Sequence, residues 1–297
     1  MDKKRKKRKV QCGRRGERIF SNICVAPGFV GALIFFFIPF CIVIYYSLVN
    51  NPVMHEFVYL DNFKALFKNS AFITAVKNTA QFSVVAVPLA VILSLMLAVM
   101  LEAKIPGKSV FRTFFLSPLM VPTASVVLVW QVLFHNHGTI NQVIEMFGGQ
   151  PVDWLKSQHG QIIIVCMFLW KNLGYNMILF MSALSAIPKD IIEVARLEGA
   201  GGFYQFVHIK LRYLSPTVVF VFILSLINSF KIFREVYLLT GDYPYDKLYM
   251  LQHFMNNTFN SLDYQKLSAA AVLFAVVMIV IIGVLMFVEN KYGEDVE

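Results

Sequence analysis

The chain has 297 residues, of which 57% are hydrophobic and 15% charged, and its formal net charge is +9. Soluble domains are nearer half apolar and about a quarter charged, so this composition argues against a water-soluble enzyme or binding module. The mean hydropathy of +0.62 and the 28 phenylalanines fit side chains that face lipid. The sequence therefore predicts an integral membrane protein.

Six apolar segments are each long enough to cross the roughly 30 Å hydrocarbon core as a helix rising about 1.5 Å per residue. Helices are expected because lipid offers no hydrogen-bond partner to an open backbone. The predicted spans are residues 23–48, 76–101, 111–134, 161–187, 213–239 and 265–289. We therefore expect an all-α transmembrane domain over 23–289, a basic tail at 1–22 and a short C-terminal tail at 290–297.

A proline pair and one long loop depart from this regular pattern of straight spans and short connections. Pro118 and Pro122 interrupt the third predicted span, which is tolerated where neighbouring helices satisfy the freed carbonyls. The following loop, 135–160, has the composition of a short amphipathic helix, a glycine turn and an interfacial tryptophan, Trp154.

Lysine and arginine predict the orientation of the chain in the membrane. Ten of these residues lie in the first eighteen positions, and the loops 102–112 and 188–212 hold further groups, whereas the alternate loops carry fewer for their length. Because cytoplasmic loops carry the excess of basic residues, both termini are predicted to face the cytoplasm. The net charge then reflects topology, and the N-terminal tail is expected to contact anionic lipid rather than nucleic acid.

The loop 188–212 between the fourth and fifth predicted spans is longer and more charged than a tight turn. Pro188 suits the first turn of a helix, Asp190 and Glu193 lie toward its positive end, and Gly199 suits its termination. Gly201 and Gly202 permit a sharp turn before a second short helix. Such a charged helix is either a docking site for a soluble partner or a solvated interfacial helix without one.

The segment after this turn is predicted to lead into the fifth span. Residues 209–211 are the predicted entry to this span, which is expected over 213–239 with Pro216 in its first helical turn.

The same loop matches a recurrent pattern, Glu-Ala-Ala, then an acidic residue with Gly-Ala, then Ile-x-Leu-Pro. The matching residues are Glu193, Ala195, Glu198, Gly199, Ala200, Ile209 and Leu211. Val194 and Glu198 are mild departures, and Arg212 replaces the final proline, which softens the kink expected there. The pattern resembles the "EAA" loop of permease subunits in binding-protein-dependent ABC importers.

Further segments extend this resemblance along nearly the whole chain. The resemblance is greatest to the first permease of carbohydrate importers akin to the maltose and glycerol-3-phosphate systems. These segments are Asn78-Thr79, Phe111-Arg112-Thr113, Trp170-Lys171, residues 183–188, and Phe230 to Gly241 followed by Pro244.

The resemblance implies the architecture of a type I ABC importer permease with a cytoplasmic coupling helix, in which the seven matching residues contact an ATPase. It implies a chain without catalytic residues, cofactor or metal of its own, since ATP and Mg²⁺ would bind the partner ATPase. The implied partners are a second homologous permease, two cytoplasmic ABC ATPase subunits, an extracytoplasmic solute-binding protein and membrane lipid. The implied location is a bacterial or archaeal plasma membrane.

The implied cargo is a sugar, an oligosaccharide or a related polyol. Because the docking loop recurs across substrates, an importer of peptides or polyamines is an alternative. A secondary transporter is another, but it would need a carboxylate buried in mid-span, and Glu235 lies toward the end of its span.

Polar residues inside predicted spans are candidates for the substrate pathway, because burying them in lipid is costly. The candidates are Gln131, Asn172, Tyr175, Asn176, Asn228 and Lys231. Two other interpretations stay open. Lys171 and Lys231 would snorkel to lipid phosphates, or Lys231 and Arg234 would pair locally with Glu235.

Two motifs suggest other chemistry but do not support it. Gly107-Lys108-Ser109 resembles the end of a phosphate loop, but Glu102 occupies the position of the required first glycine. His135 and His137 lie close in sequence without a third ligand, which makes a poor metal site.

Overall fold

The computed structural model describes residues 23–51, 56–102, 107–157 and 159–293. Within these ranges the chain is nearly all helical, and β-pairing is limited to one isolated bridge between Val49 and Phe57. The predicted tail at 1–22 lies outside the described residues, whereas the last helix continues through 290–293 of the predicted C-terminal tail. The helices are α1 (Ile23–Ser47), α2 (Asp61–Lys68), α3 (Ser70–Glu102), α4 (Lys108–Met120), α5 (Thr123–Leu133), α6 (Thr139–Met146), α7 (Gly160–Ala186), α8 (Lys189–Leu197), α9 (Gly202–Thr240), α10 (Leu251–Asn260) and α11 (Tyr264–Gly293).

Five helices in the described part of the chain, α1, α3, α7, α9 and α11, are long and apolar enough to cross a membrane. The third predicted span is not one straight helix, because α4 and α5 meet at an angle of 99°. Val121 between them is extended, with φ −81° and ψ 130°, since the ring of Pro122 disfavours the helical conformation for the residue before it. The all-α polytopic architecture is confirmed, and the third predicted span is broken into two helices, α4 and α5, at Val121 and Pro122.

The chain divides into two compact units, of which the first comprises Met1–Leu66 and Asp263–Leu273. In this unit the segment after α1 is held by the side chain of Asn62. Its Nδ2 donates hydrogen bonds to the carbonyls of Ser47 and Val49, each at 2.9 Å. The edge-on contact between the rings of Tyr45 and Phe57, with centroids 5.7 Å apart, joins the same segment.

The second unit, Phe67–Leu262 and Phe274–Glu297, contains two buried apolar clusters. On α3 the two clusters adjoin at Ala90 and Val91. On α7 and α9, polar side chains lie between the residues of one cluster and those of the other, namely Lys171, Asn172, Asn176, Ser225, Asn228 and Ser229. The first cluster includes Phe82, Val126, Ile164, Met167, Phe168, Ile232 and Val236, and the second includes Val91, Ala98, Met177, Phe180, Leu214 and Val221. These polar side chains therefore form a polar level between the two clusters where α7 meets α9.

Helix α7 approaches α4 most closely at Gly174. A Cβ atom built on this glycine would lie 1.8 Å from the carbonyl oxygen of Phe115 and 3.1 Å from the backbone nitrogen of Leu116. Small residues let membrane helices bring their backbones together. Gly174 therefore fixes the distance between α7 and the first half of the broken span.

Helix α9 begins earlier than predicted, at Gly202. Pro216 consequently lies inside the helix, and its predicted place in the first turn is wrong. Residues Phe206–Lys210 form a π-helical segment, and α-helical geometry resumes at Leu211. Arg212 retains the backbone N–H that a proline would lack, so the helix passes through this position without a break.

The segment before α10 is tied to the start of α3. The Nδ2 of Asn78 donates to the carbonyl of Tyr249 at 3.0 Å, and the hydroxyl of Thr79 accepts from the N–H of Leu251 at 2.8 Å. Next to this junction His253 is fully buried, and the N–H of Met250 donates to its Nδ1 at 3.3 Å. Burial lowers the pKa of His253 to about 4, so its imidazole is neutral near pH 7.

Candidate functional site

Helix α8 ends where the sequence predicts and begins one residue later than expected. Pro188 occupies the N-cap position and not the first turn, Asp190 lies in the first turn, and Gly199 follows the C-terminal cap with a left-handed φ of 83°. The N–H of Gly199 donates to the carbonyl of Arg196 at 3.1 Å, and the N–H of Ala200 donates to the carbonyl of Ala195 at 2.9 Å. This pair of bonds is a Schellman motif, which glycine favours because it has no Cβ to strain the left-handed conformation.

The outer surface of α8 and the following turn is both charged and apolar. Ala195 is buried, whereas the predicted coupling residues Glu193 and Glu198 are exposed. Leu197 and Phe203 are exposed to 88% and 82%, which is unusual for large apolar side chains on one short loop. Exposed apolar groups with a polar rim are typical of protein interaction sites.

Behind this surface, contacts within the second unit hold the loop and the start of α9 in place. Gln205 is buried and its Nε2 donates to the carbonyl of Ala200 at 2.6 Å. The Nζ of Lys210 lies 2.5 Å from Oε2 of Glu102 at the end of α3. The two remaining predicted coupling residues, Ile209 and Leu211, belong to α9 and not to the exposed turn. The structure thus presents α8 as a projecting but anchored element.

A second candidate site is a polar pocket beside the break between α4 and α5. It has a volume of about 210 Å³ and lies in the polar level of the second unit. Three of the predicted pathway residues, Asn172, Asn228 and Lys231, line it. Its other lining residues are Leu119, Thr123, Phe168, Lys171, Ile232, Arg234 and Glu235.

An ion pair crosses this pocket between α7 and α9. The ammonium group of Lys171 contacts the carboxylate of Glu235, and its Nζ is also 3.4 Å from the hydroxyl of Thr123. Glu235 is 6% exposed, so this pair is largely removed from solvent. Glu235 pairs with Lys171 of the neighbouring helix and not with Lys231 or Arg234, the local partners that the sequence left open as an alternative.

Hydrogen bonds between uncharged side chains also connect α7 and α9 in this polar level. The Nδ2 of Asn228 donates to Oδ1 of Asn172 at 3.0 Å, and the Nδ2 of Asn176 donates to the hydroxyl of Ser225 at 2.9 Å. Asn176 is 1% exposed and is absent from the pocket lining, so it joins α7 to α9 within the bundle.

Two other predicted pathway residues lie away from this pocket. Gln131 donates to the carbonyls of Leu238 and Leu239, at 3.2 Å and 3.4 Å, and borders a different, open cavity of about 420 Å³ near His135. The side chain of Tyr175 is 39% exposed and is absent from the pocket lining.

The pocket also contains residues that the candidate list omits. Thr123 enters it because the chain turns at Pro122, and Arg234 and Glu235 enter it because α9 remains helical to Thr240. Charged residues inside an apolar span are the sequence signal that identifies the last two.

The Lys171–Glu235 pair gives a testable stability prediction. Lys171→Met leaves a buried carboxylate without its cation, so we expect a loss of about 3–5 kcal/mol in the free energy of unfolding. The double variant Lys171→Met/Glu235→Leu removes both charges and is expected to recover most of this loss. Thermal unfolding of the full chain in detergent measures both. A loss in the double variant as large as that in Lys171→Met, or larger, would contradict the expected coupling between the two charges.

The broken span, the long apolar helices and the projecting α8 together define a multi-pass membrane protein of the permease type. Residues 90–292 match the family described as binding-protein-dependent transport system inner membrane component. The chain therefore belongs to this family, whose members are transport permeases and not enzymes.

Individual relatives agree with this assignment. The sn-glycerol-3-phosphate transport system permease protein UgpA of Shigella dysenteriae serotype 1 (strain Sd197) is 30% identical over 282 residues, which cover 92% of this chain and 93% of that protein. The trehalose/maltose transport system permease protein MalF of Thermococcus litoralis is 31% identical over 219 residues, or 73% of this chain and 74% of that protein.

A solved structure shows the same fold. The bacterial alginate ABC transporter, in complex with an alginate pentasaccharide-bound periplasmic protein, contains a chain that superposes with a TM-score of 0.82. The two sequences are 20% identical, and the match covers 94% of this chain and 96% of that chain.

Proposed function

We propose that this chain forms half of the translocation pathway of an ATP-driven importer for a sugar, an oligosaccharide or a related polyol. The transport systems named for its relatives carry glycerol phosphate and trehalose or maltose, which supports this substrate class. The chain itself requires no catalytic group or cofactor in this scheme, since ATP and Mg²⁺ bind a separate ATPase. A second permease of the same family completes the pathway, and an extracytoplasmic binding protein delivers the solute.

The observation that carries the proposal is the form of the loop 188–212. Helix α8 projects its acidic and apolar side chains while Gln205 and the Lys210–Glu102 pair hold its base. A partner that moves α8 therefore also pulls on α9 and α3. The excess of basic residues in this loop and in the N-terminal tail supports a cytoplasmic position for α8 and for both termini in the plasma membrane.

The charge of the polar pocket favours this substrate class over the polyamine alternative. Three cationic side chains and one carboxylate line the pocket, so a polycationic cargo would be repelled. A proton- or ion-coupled carrier is also less well supported, because the buried carboxylate of Glu235 is already engaged by Lys171.

The test is purification of the full chain from its native host in a gentle detergent, with identification of all co-purifying proteins. We expect an ABC ATPase and a second multi-pass permease. A Leu197→Glu variant places a charge on the exposed apolar turn and is expected to lose the ATPase while retaining the second permease. A chain that purifies alone, or only with copies of itself, would contradict the proposal.

A further inference from the structure

The cations of the polar pocket are only partly neutralised. Lys171 is engaged by Glu235, whereas Lys231 and Arg234 have no ion-pair partner within residues 23–51, 56–102, 107–157 and 159–293. Both lie on α9, three positions apart, and both line the pocket. The lining residues thus carry a formal net charge of +2, which a bound anion would neutralise.

Lys231 and Arg234 lie within the long apolar helix α9, and both residues are exposed in the isolated chain. Lys231 is nine residues before the end of α9 at Thr240, or about 13 Å along the helix axis at ~1.5 Å per residue. Lys171 is eleven residues after the start of α7, in the middle part of that helix. Charged side chains inside a membrane span are expensive unless they meet a partner or face a polar cavity.

The chemistry of the lining matches a phosphate or carboxylate group. The planar guanidinium of Arg234 is suited to two parallel hydrogen bonds with such a group, and the ammonium of Lys231 adds a point charge. Asn172 and Asn228 provide amide groups at the same pocket, suited to neutral hydroxyls. An anionic head with hydroxyls next to it would therefore meet both kinds of side chain.

We infer that this pocket is a subsite for the anionic group of the transported solute, a phosphate or a carboxylate, held by Lys231 and Arg234. The inference rests on the proposed transport function and narrows its substrate class to acidic sugars or polyol phosphates. The phosphate of a lipid headgroup has the same chemistry, so the test separates the two sources.

The experiment follows the thermal unfolding of the purified full chain by tryptophan fluorescence, since Trp170 adjoins Lys171. Glycerol 3-phosphate and glucuronate are titrated to millimolar concentration against glycerol and glucose, with sodium chloride keeping the ionic strength constant. We expect a rise of about 2–4 °C with at least one anionic probe and none with its neutral counterpart. The double variant Lys231→Gln/Arg234→Gln should lose this shift, while Lys156→Gln, which changes a lysine outside the pocket, should retain it.

A parallel arm uses nanodiscs of phosphatidylcholine with and without phosphatidylglycerol. A rise caused only by phosphatidylglycerol, and abolished in the double variant, would assign the cations to lipid and overturn the solute subsite. Absence of any shift with the soluble probes would overturn it as well. Either result leaves the importer proposal intact, because that proposal is tested by co-purification of the ATPase.

Discussion

Gly199→Asp is expected to abolish ATP-driven transport while the chain still inserts, folds and reaches normal levels in the membrane. The glycine is at φ 83°, and a Cβ there would meet no atom within 4 Å. The substitution therefore disturbs no packed core, and its local cost is limited to about 1–2 kcal/mol for a left-handed residue. The substitution adds a carboxylate to the proposed docking surface, at the C-terminal end of α8 where the helix dipole is already negative.

A matched control is available at Gly148. This residue has φ 81° and equally open space around its α-carbon, but it follows α6 on a loop predicted to lie outside the cell. Gly148→Asp carries the same added charge and a similar backbone strain, so we expect it to retain transport. The measurement is ATP hydrolysis and ATPase retention by the assembly purified from each variant. Full ATPase activity and retention in Gly199→Asp, or equal losses in both variants, would contradict the proposed role of α8 in coupling to the ATPase.

The form of the docking loop could be predicted because its signals are local. Pro188 and Gly199 act on the backbone at their own positions, so the bounds of α8 follow from residue type alone. The break in the third span has the same origin. Pro122 restricts Val121, although the size of the resulting bend depends on how α4 and α5 pack.

The polar pocket could be predicted only in part because its contacts are distant in sequence. Lys171 and Glu235 are 64 positions apart, and nothing in the neighbourhood of either residue indicates the other. A local pairing within α9 is therefore equally compatible with the sequence. Gln131 shows the same limit, because it donates hydrogen bonds to the backbone carbonyls of Leu238 and Leu239. These residues follow it by 107 and 108 positions in the sequence.

The contact between α7 and α4 is likewise not indicated by any local sequence signal, and a substitution at this contact is expected to lower the stability of the chain substantially. Gly174→Ala places a Cβ 1.8 Å from the carbonyl oxygen of Phe115, well inside van der Waals contact. The obstacle is backbone, which cannot change rotamer, so the helices must separate. Overpacking of this kind costs about 1–3 kcal/mol and occasionally more, and we expect the upper end, or a drop of roughly 10 °C in the unfolding midpoint.

Gly283→Ala is the control for this substitution. Gly283 lies within the apolar helix α11, and a Cβ added there meets nothing within 4 Å. Alanine removes the entropic disadvantage of a helical glycine, so this variant should equal or exceed the parent chain by up to about 1 kcal/mol. Both variants are compared by thermal unfolding in the same detergent. Similar midpoints for the two would mean that α7 and α4 are less closely packed than Gly174 indicates. A selective loss in Gly174→Ala would show that α7 packs closely against α4 at this position, three residues after Lys171.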